Sequence, residues 1–232
     1  MEFETKIRDI IKRTYNVKSF RFDRPKDFSY KAGQYLFLTV KADGKELQKP
    51  LSMSSSPTET DFLEFTKKLS GHEFSNALDE LKIGDWVKVN GPFGDFTFEG
   101  EYDKTALLSG GIGITPLRSV CKYCTDKKLK TKITLLYGNE TEQDIVFRDQ
   151  FEEMQKLNKN LKVVYTITKP SPNWKGRVGY ITKEMIIDEV PDYNETVFCI
   201  CGPPKMIEVM ENLLKELNVS ASKIREERFL GY

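Results

Sequence analysis

Residues 106–118 read Ala-Leu-Leu-Ser-Gly-Gly-Ile-Gly-Ile-Thr-Pro-Leu-Arg, and a run of this kind leaves few folds open. Ala106, Leu107 and Leu108 read as a buried strand. Gly110, Gly111 and Gly113 read as a tight turn, and Thr115 and Pro116 as the N-cap and first residue of a helix. A strand that breaks on glycines into a helix aims free backbone N–H groups and the positive end of the helix dipole at one point. That is a phosphate cradle, and it predicts an α/β domain that binds a nucleotide.

The remaining sequence narrows the function classes. With 232 residues, there is room for one large domain or two small ones. A formal net charge of +1 argues against nucleic acid as a partner. No apolar run approaches the length of a membrane span, and the N-terminus, Met-Glu-Phe-Glu-Thr-Lys, has no signal-peptide pattern. Four cysteines are too few and too unevenly placed for a disulfide scaffold, so a reduced, cytoplasmic protein is expected. His72 is the single histidine, which argues against a metal site.

Two rhythms divide the chain. Up to about residue 100, short alternating segments (Lys18 to Phe22, Gln34 to Val40, Phe62 to Lys68, Trp86 to Val89) are separated by turn signals such as Asp43-Gly44 and Gly91-Pro92. This punctuation predicts an antiparallel β-barrel interrupted by one helix from about Ser75, its expected N-cap, to Leu81. From 101 to 232, strand-like runs at Thr105 to Leu108, Lys132 to Tyr137, Lys162 to Thr168 and Thr196 to Cys201 alternate with helical patterns. Leu117, Val120, Cys121 and Cys124 share one helix face, and Met206, Ile207, Met210, Leu213, Leu214 and Leu217 another. Alternating β and α predicts a parallel sheet covered by helices, with the domain boundary near Gly100 to Lys104.

GGIGITP at the first turn of such a domain and CGPPKM near its end, preceded by a β-barrel, resemble the ferredoxin–NADP reductase superfamily. The resemblance covers essentially the whole chain. Lys31-Ala32-Gly33-Gln34-Tyr35 resembles the family's PGQY strand, and Lys49-Pro50-Leu51-Ser52 stands where its flavin signature RxYS belongs. Gly71 to Leu78 resembles its GxxSxxL element, and Gly91-Pro92-Phe93-Gly94 closes the barrel as the family does. The resemblance implies an FAD-binding barrel (residues 1–100), FAD ahead of FMN, and an NAD(P)-binding domain (101–232) whose nicotinamide nucleotide delivers hydride to the flavin.

It also implies site residues. Lys49 supplies a cation for the flavin pyrophosphate, with Pro50 and Leu51 beside it and Ser52 as the hydroxyl at flavin N5. Phe65, Thr66 and Lys67 resemble the neighbouring strand that touches the cofactor, and Phe74 and Ser75 the helix start at the pyrophosphate. Gly110, Gly111, Gly113, Ile114, Thr115 and Pro116 form the nucleotide turn. Gly138, Asn139 and Thr168 end the second and third strands near the ribose. Cys201, Gly202, Pro203 and Met206 end the fourth, with Cys201 beside nicotinamide C4. Glu227, within an acidic-basic-Phe triplet that ends in Phe229, is expected near the reacting ring, and Tyr232 as an aromatic lid on it; a frayed edge strand is the plainer alternative. Ser52, Cys201 and Glu227 are the catalytic candidates.

Two departures weaken the flavin signature. The family arginine is Lys49, which turns a bidentate fork into a point charge. The family tyrosine is Leu51, which removes an aromatic face and a hydroxyl.

Other readings stay open. Cys199 reads as core, and Cys121 and Cys124, a CxxC on an apolar helix face, as packing. No further cysteines remain for an iron–sulfur cluster. Glu140 and Glu142 follow the second strand, where they repel a 2′-phosphate and accept from a free ribose hydroxyl; NADH is therefore favoured over NADPH. Arg177 is the basic residue able to reverse that. Trp86 and Trp174 read as packing. The lysine run Lys122, Lys127, Lys128, Lys130 and Lys132 is either a solvated helix end or a dock for an acidic redox protein. The acceptor stays open among ferredoxin, flavodoxin, a small cytochrome, an oxygenase and free flavin. A flavin-bearing subunit of a larger complex and a degenerate nucleotide-binding scaffold are the alternative functions.

Overall fold

A computed structural model describes residues 1–229. Its first part carries β1 (Glu2–Lys6), β2 (Asp9–Lys12), β3 (Val17–Asp23), β4 (Tyr35–Ala42), β5 (Lys45–Ser52), β6 (Phe62–Lys68), α1 (Glu73–Glu80) and β7 (Trp86–Phe93). These strands form two antiparallel sheets, ordered β1-β7-β4-β5 and β2-β3-β6, and a bridge between Met53 and Phe65 joins them. The period of two explains the core. Leu36, Leu38 and Val40 of β4 all point inward and meet Phe20, Phe22, Leu63 and Phe65 from the other sheet. Each such aliphatic side chain contributes about 1.5–3 kcal/mol by leaving water.

The second part carries β8 (Lys104–Gly110), α2 (Ile114–Asp126), β9 (Lys132–Asn139), α3 (Arg148–Leu157), β10 (Leu161–Ile167), β11 (Arg177–Val178), α4 (Lys183–Glu189), β12 (Val197–Gly202), α5 (Pro204–Glu216) and β13 (Ile224–Arg228). Its six strands run parallel in the order β11-β10-β9-β8-β12-β13. Residues 105–109 of β8 are buried on both faces, as a central parallel strand must be. Leu107 packs with α2 and α3 on one side, while Ala106 and Leu108 pack with α4 and α5 on the other. The chain leaves β8 for β9 on one flank and later returns to β12 on the other. The carboxyl ends of β8 and β12 therefore lie at the switch point of the sheet, where open α/β sheets hold ligands.

Both expected helix caps are displaced. After β8, residues Gly111–Gly113 form one 3-10 turn, and α2 begins at Ile114. Gly113 already has helical angles (φ −57, ψ −11), so Thr115 lies inside the first turn and is not the N-cap. Its hydroxyl donates back to the Ile112 carbonyl at 3.2 Å. Similarly, α1 begins at Glu73, with His72 at the cap position. Ser75 sits within the first turn, and its Oγ accepts from the Ser70 N–H at 2.8 Å. In both cases the turn before the helix has already bent the backbone, so the hydroxyl serves that turn.

Short elements escape the periodicity. α4 buries only Met185 and Ile186 and owes its start to Thr182, whose side chain accepts from the Met185 N–H at 3.2 Å. β13 is an edge strand pairing in parallel with β12, which places Glu227 opposite Cys201. Among the described residues, no helix is long and apolar enough to cross a membrane.

Candidate functional site

The three turn glycines each answer a different constraint. Gly111 has φ +54 and open space where a side chain would be. A Cβ on Gly110 would lie 2.6 Å from Met206 Sδ of α5, and one on Gly113 would lie 2.3 Å from the Cys201 carbonyl oxygen. The turn is thus pressed against the end of β12. Tyr137, a fully buried residue of β9, donates from its hydroxyl to the Gly111 carbonyl at 2.9 Å and pins the turn from the other side. The same turn also touches β6 of the first domain. Gly138 is under no such demand, since its Cβ would meet Thr166 Cγ2 at an ordinary 3.6 Å.

Cys201 is wholly buried at the end of β12, and its carbonyl accepts from Ser109 Oγ at 3.3 Å. Burial, then the neighbouring Glu227 carboxylate, pushes its thiol well above the ordinary range. It therefore stays protonated at neutral pH, and its chemistry is that of a compact, polarisable wall. Glu227 is half-buried, and burial raises its carboxyl above the usual range. Gly202 is buried and its carbonyl accepts from the Phe229 N–H at 3.1 Å, which holds the C-terminal strand over the glycine turn's partner. Pro203 and Met206 open α5 just beyond. Tyr232 lies outside the described residues.

The other cysteines fit packing. Cys121, Cys124 and Cys199 are buried in the same core as Cys201, and burial pushes the Cys124 thiol up to about 12 and Cys199 to about 11.

On the first domain, β5 runs beside β4 with Lys49 opposite Leu38 and Ser52 opposite Tyr35. Ser52 is half-buried, and its hydroxyl makes no hydrogen bond among the described residues. Leu51, which stands where the family carries a tyrosine, is buried in the barrel core. Lys67 of β6 is partly buried; burial, then the charge of Lys49, lowers its ammonium below the usual range. Two ammonium groups close enough to perturb one another are a poor arrangement by themselves and a good one around a diphosphate. Phe65 and Thr66 are both buried, on opposite faces of β6. Phe65 stacks on Phe20 with ring centroids 5.1 Å apart, and the Thr66 hydroxyl bonds Ser19 at 2.7 Å and Ser54 at 2.8 Å. Both side chains are committed to these contacts. Phe74 is likewise a core residue.

The loop after β9 is more occupied than its sequence suggests. Glu140 pairs with Lys169, and Glu142 accepts from the Ser171 hydroxyl at 2.7 Å, which holds its carboxyl below the usual range. Both stay anionic. Arg177 is bonded to Glu189 at 2.6 Å and Asp188 at 3.1 Å, so it is committed to α4. The Asn139 amide is buried beside the Tyr137 hydroxyl, yet neither its oxygen nor its nitrogen reaches a partner in hydrogen-bonding geometry among the described residues. A buried amide left in this state costs about 1–3 kcal/mol, which a polar ligand offsets. Thr168 follows β10, its N–H donating to the Asn139 carbonyl at 3.1 Å.

Of the peripheral residues, Lys122 pairs with Asp126, Trp86 donates to Glu4 at 2.8 Å and Trp174 to the Arg177 carbonyl at 2.8 Å.

The lysine pair, the glycine cradle and the orphaned amide fit a dinucleotide in each half. Comparison with known proteins agrees. Residues 4–98 match the family described as oxidoreductase FAD-binding domain, and residues 107–212 that described as oxidoreductase NAD-binding domain. The chain is 31% identical over 230 residues to NADH-cytochrome b5 reductase 1 of Dictyostelium discoideum, covering 96% of this chain and 80% of that protein. It is 30% identical over 228 residues to the glycine betaine monooxygenase reductase subunit of Chromohalobacter salexigens, covering 95% of this chain and 62% of that one. The fold matches the cytochrome b5 reductase domain of Ulva prolifera nitrate reductase with a TM-score of 0.87 at 25% identity, over 98% of this chain and 97% of that domain.

Proposed function

The chain belongs to the ferredoxin–NADP reductase superfamily and is a cytochrome b5 reductase-like, FAD-dependent NAD(P)H oxidoreductase; from that premise we propose that it takes hydride from NADH and passes electrons on to a haem protein. FAD bound at the barrel supplies a two-electron acceptor that releases electrons singly. The protein's part is placement. Lys49 and Lys67 hold the diphosphate, and Ser52 offers an uncommitted hydroxyl at the edge of β5. Gly110 to Pro116 seat the nicotinamide nucleotide, with the Cys201 thiol as a neutral wall and Glu227 as a carboxyl ready to hold a proton. The observation that carries the reading is the glycine turn's position, against β12 on one side and β6 on the other.

NADH is preferred because Glu142 places a carboxylate in the loop after β9, while the nearby cations are engaged, Lys169 by Glu140 and Arg177 by Glu189. A 2′-phosphate would meet the Glu142 carboxylate there and would have to draw Lys169 away from Glu140. The acceptor class follows from likeness to a reductase that serves cytochrome b5. The second reading, a reductase subunit serving an oxygenase, has support from the betaine monooxygenase relative.

The acceptor is tested by steady-state turnover of the FAD-loaded chain with NADH against a b-type cytochrome, a [2Fe–2S] ferredoxin and a flavodoxin. The cytochrome should give the largest kcat/KM, by at least about tenfold, a margin of 1.4 kcal/mol. A ferredoxin or flavodoxin that matches or exceeds it overturns the haem assignment.

A further inference from the structure

The two half-sites lie in different domains, so something must set their separation. The glycine turn leads directly into α2, and one turn along that helix stands Arg118, which is 3% exposed. Four hydrogen bonds use four of its five N–H donors. Nη1 donates to the Ser54 carbonyl at 2.9 Å and to Glu59, Nη2 to Glu59 Oε1 at 3.0 Å, and Nε to Gln150 of α3 at 2.9 Å. Three of the four therefore cross into the FAD-binding domain. The next residue repeats the contact: Ser119 Oγ donates to the Ser55 carbonyl at 2.6 Å. Ser54 and Ser55 follow Ser52 by two and three residues.

Glu59 is fixed in turn. It accepts from the Ser56 N–H at 2.7 Å, so the loop from 52 to 59 is closed on itself and on the guanidinium. Behind it, Ser54 Oγ donates to the fully buried Glu64 at 2.9 Å, and Glu64 is held by Arg13 and Arg21 at 2.8 Å each. The Phe147 ring lies between Arg118 (5.8 Å) and Arg13 (5.0 Å), one cation from each domain.

Stability alone does not account for this arrangement. A buried ion pair is often no more stable than an apolar pair of the same volume, because both charges lose their water. What a planar fork adds is direction: it fixes angle as well as distance. We propose that Arg118, clasped by Glu59 and the Ser54 carbonyl, is the positioning residue that sets the glycine turn against Ser52, and so governs hydride transfer from the nicotinamide without touching either cofactor. This rests on the hydride-transfer reading above.

The test uses the FAD-loaded full chain, its R118M, R118K and E59M/R118M variants, and anaerobic stopped-flow bleaching of the flavin over a range of NADH concentrations. R118M should lower the limiting bleaching rate by about 30- to 100-fold, the effect of roughly 1 Å of misplacement, while the NADH Kd from the same titration changes less than about 3-fold. R118K keeps the charge and loses the fork, and should also be slow. E59M/R118M leaves no unpaired charge and should regain the thermal midpoint but not the rate, which a purely structural role would restore. In the cofactor-free proteins, hydrogen exchange should quicken at residues 52–59 and 111–116 and stay unchanged at 197–202. A double variant that bleaches within about 3-fold of the parent, a loss confined to Kd, or unaltered exchange at 52–59 overturns the proposal while leaving the hydride reading intact. A parent chain that binds FAD and is not bleached by NADH overturns both.

Discussion

Gly113 is the residue at which packing and chemistry are most tightly joined, and replacing it with alanine separates backbone preference from contact. Its angles are helical (φ −57, ψ −11), so alanine is conformationally at home there, and any cost comes from what the methyl meets. It would lie 2.3 Å from the Cys201 oxygen, 2.7 Å from Gly202 Cα and 2.8 Å from the Cys201 carbonyl carbon. All three are backbone atoms of β12, held between β8 and β13, so no side chain can swing aside. Close C···O approaches in proteins stand at about 3.3 Å, so the turn must withdraw by about 1 Å. Overpacking of this kind costs about 1–3 kcal/mol. Losing the Tyr137 bond to Gly111 as the turn lifts adds about 1 kcal/mol. Gly113→Ala should therefore lose about 2–4 kcal/mol in urea unfolding and about 100-fold in the rate of flavin reduction by NADH. Gly138→Ala, whose methyl meets Thr166 at 3.6 Å, should stay within about 0.5 kcal/mol of the parent in the same unfolding assay. A Gly113→Ala protein with unchanged stability and rate would refute the claim that this turn is seated on β12.

Further outcomes follow from the charges and thiols. Lys49→Met and Lys67→Met should each weaken FAD binding by about 10- to 100-fold, the worth of one charge-assisted bond, and added salt should narrow the gap; equilibrium dialysis of FAD reads both. The four cysteines are buried, with the Cys201 and Cys121 thiols held well above their ordinary range. A thiol reagent at pH 8 should therefore find none in the native chain and all four in denaturant. Arg118 holds the Glu59 carboxyl below its usual range against the opposing effect of burial. A depressed folded-state pKa adds stability that is present above the unfolded value of about 4.3 and is lost as pH falls through the folded one. Urea midpoints of the parent should thus drop more steeply below about pH 4.5 than those of Glu59→Gln.

Much of this arrangement was legible in the sequence because it rests on local patterns. The break from Ala106-Leu107-Leu108 into glycines, the alternation along β4 and the face formed by Leu117, Val120, Cys121 and Cys124 all obey short-range periods, and the structure follows them. What failed was whatever depends on the preceding turn. Thr115 and Ser75 have the side chains of N-caps, but a 3-10 turn and a loop bend had already set the helical angles. Partners distant in sequence were also invisible. Nothing in Arg177 shows that Glu189 engages it, and nothing in Arg118 shows that Glu59, 59 residues earlier, receives it across a domain interface. Tyr137 reads as one more apolar strand residue until its hydroxyl is found on Gly111. The glycines themselves read as a phosphate cradle, and sequence alone did not say that two of them are also required by Met206 and β12.

The most direct measurement of the central claim is an anaerobic visible spectrum of the FAD-loaded chain before and after one equivalent of NADH, repeated with NADPH. The account predicts loss of the flavin absorbance with NADH within the mixing time or shortly after, and at least about tenfold slower loss with NADPH, the margin of a single unfavourable charge contact. A spectrum that NADH leaves unchanged, or one that NADPH bleaches faster, would contradict it.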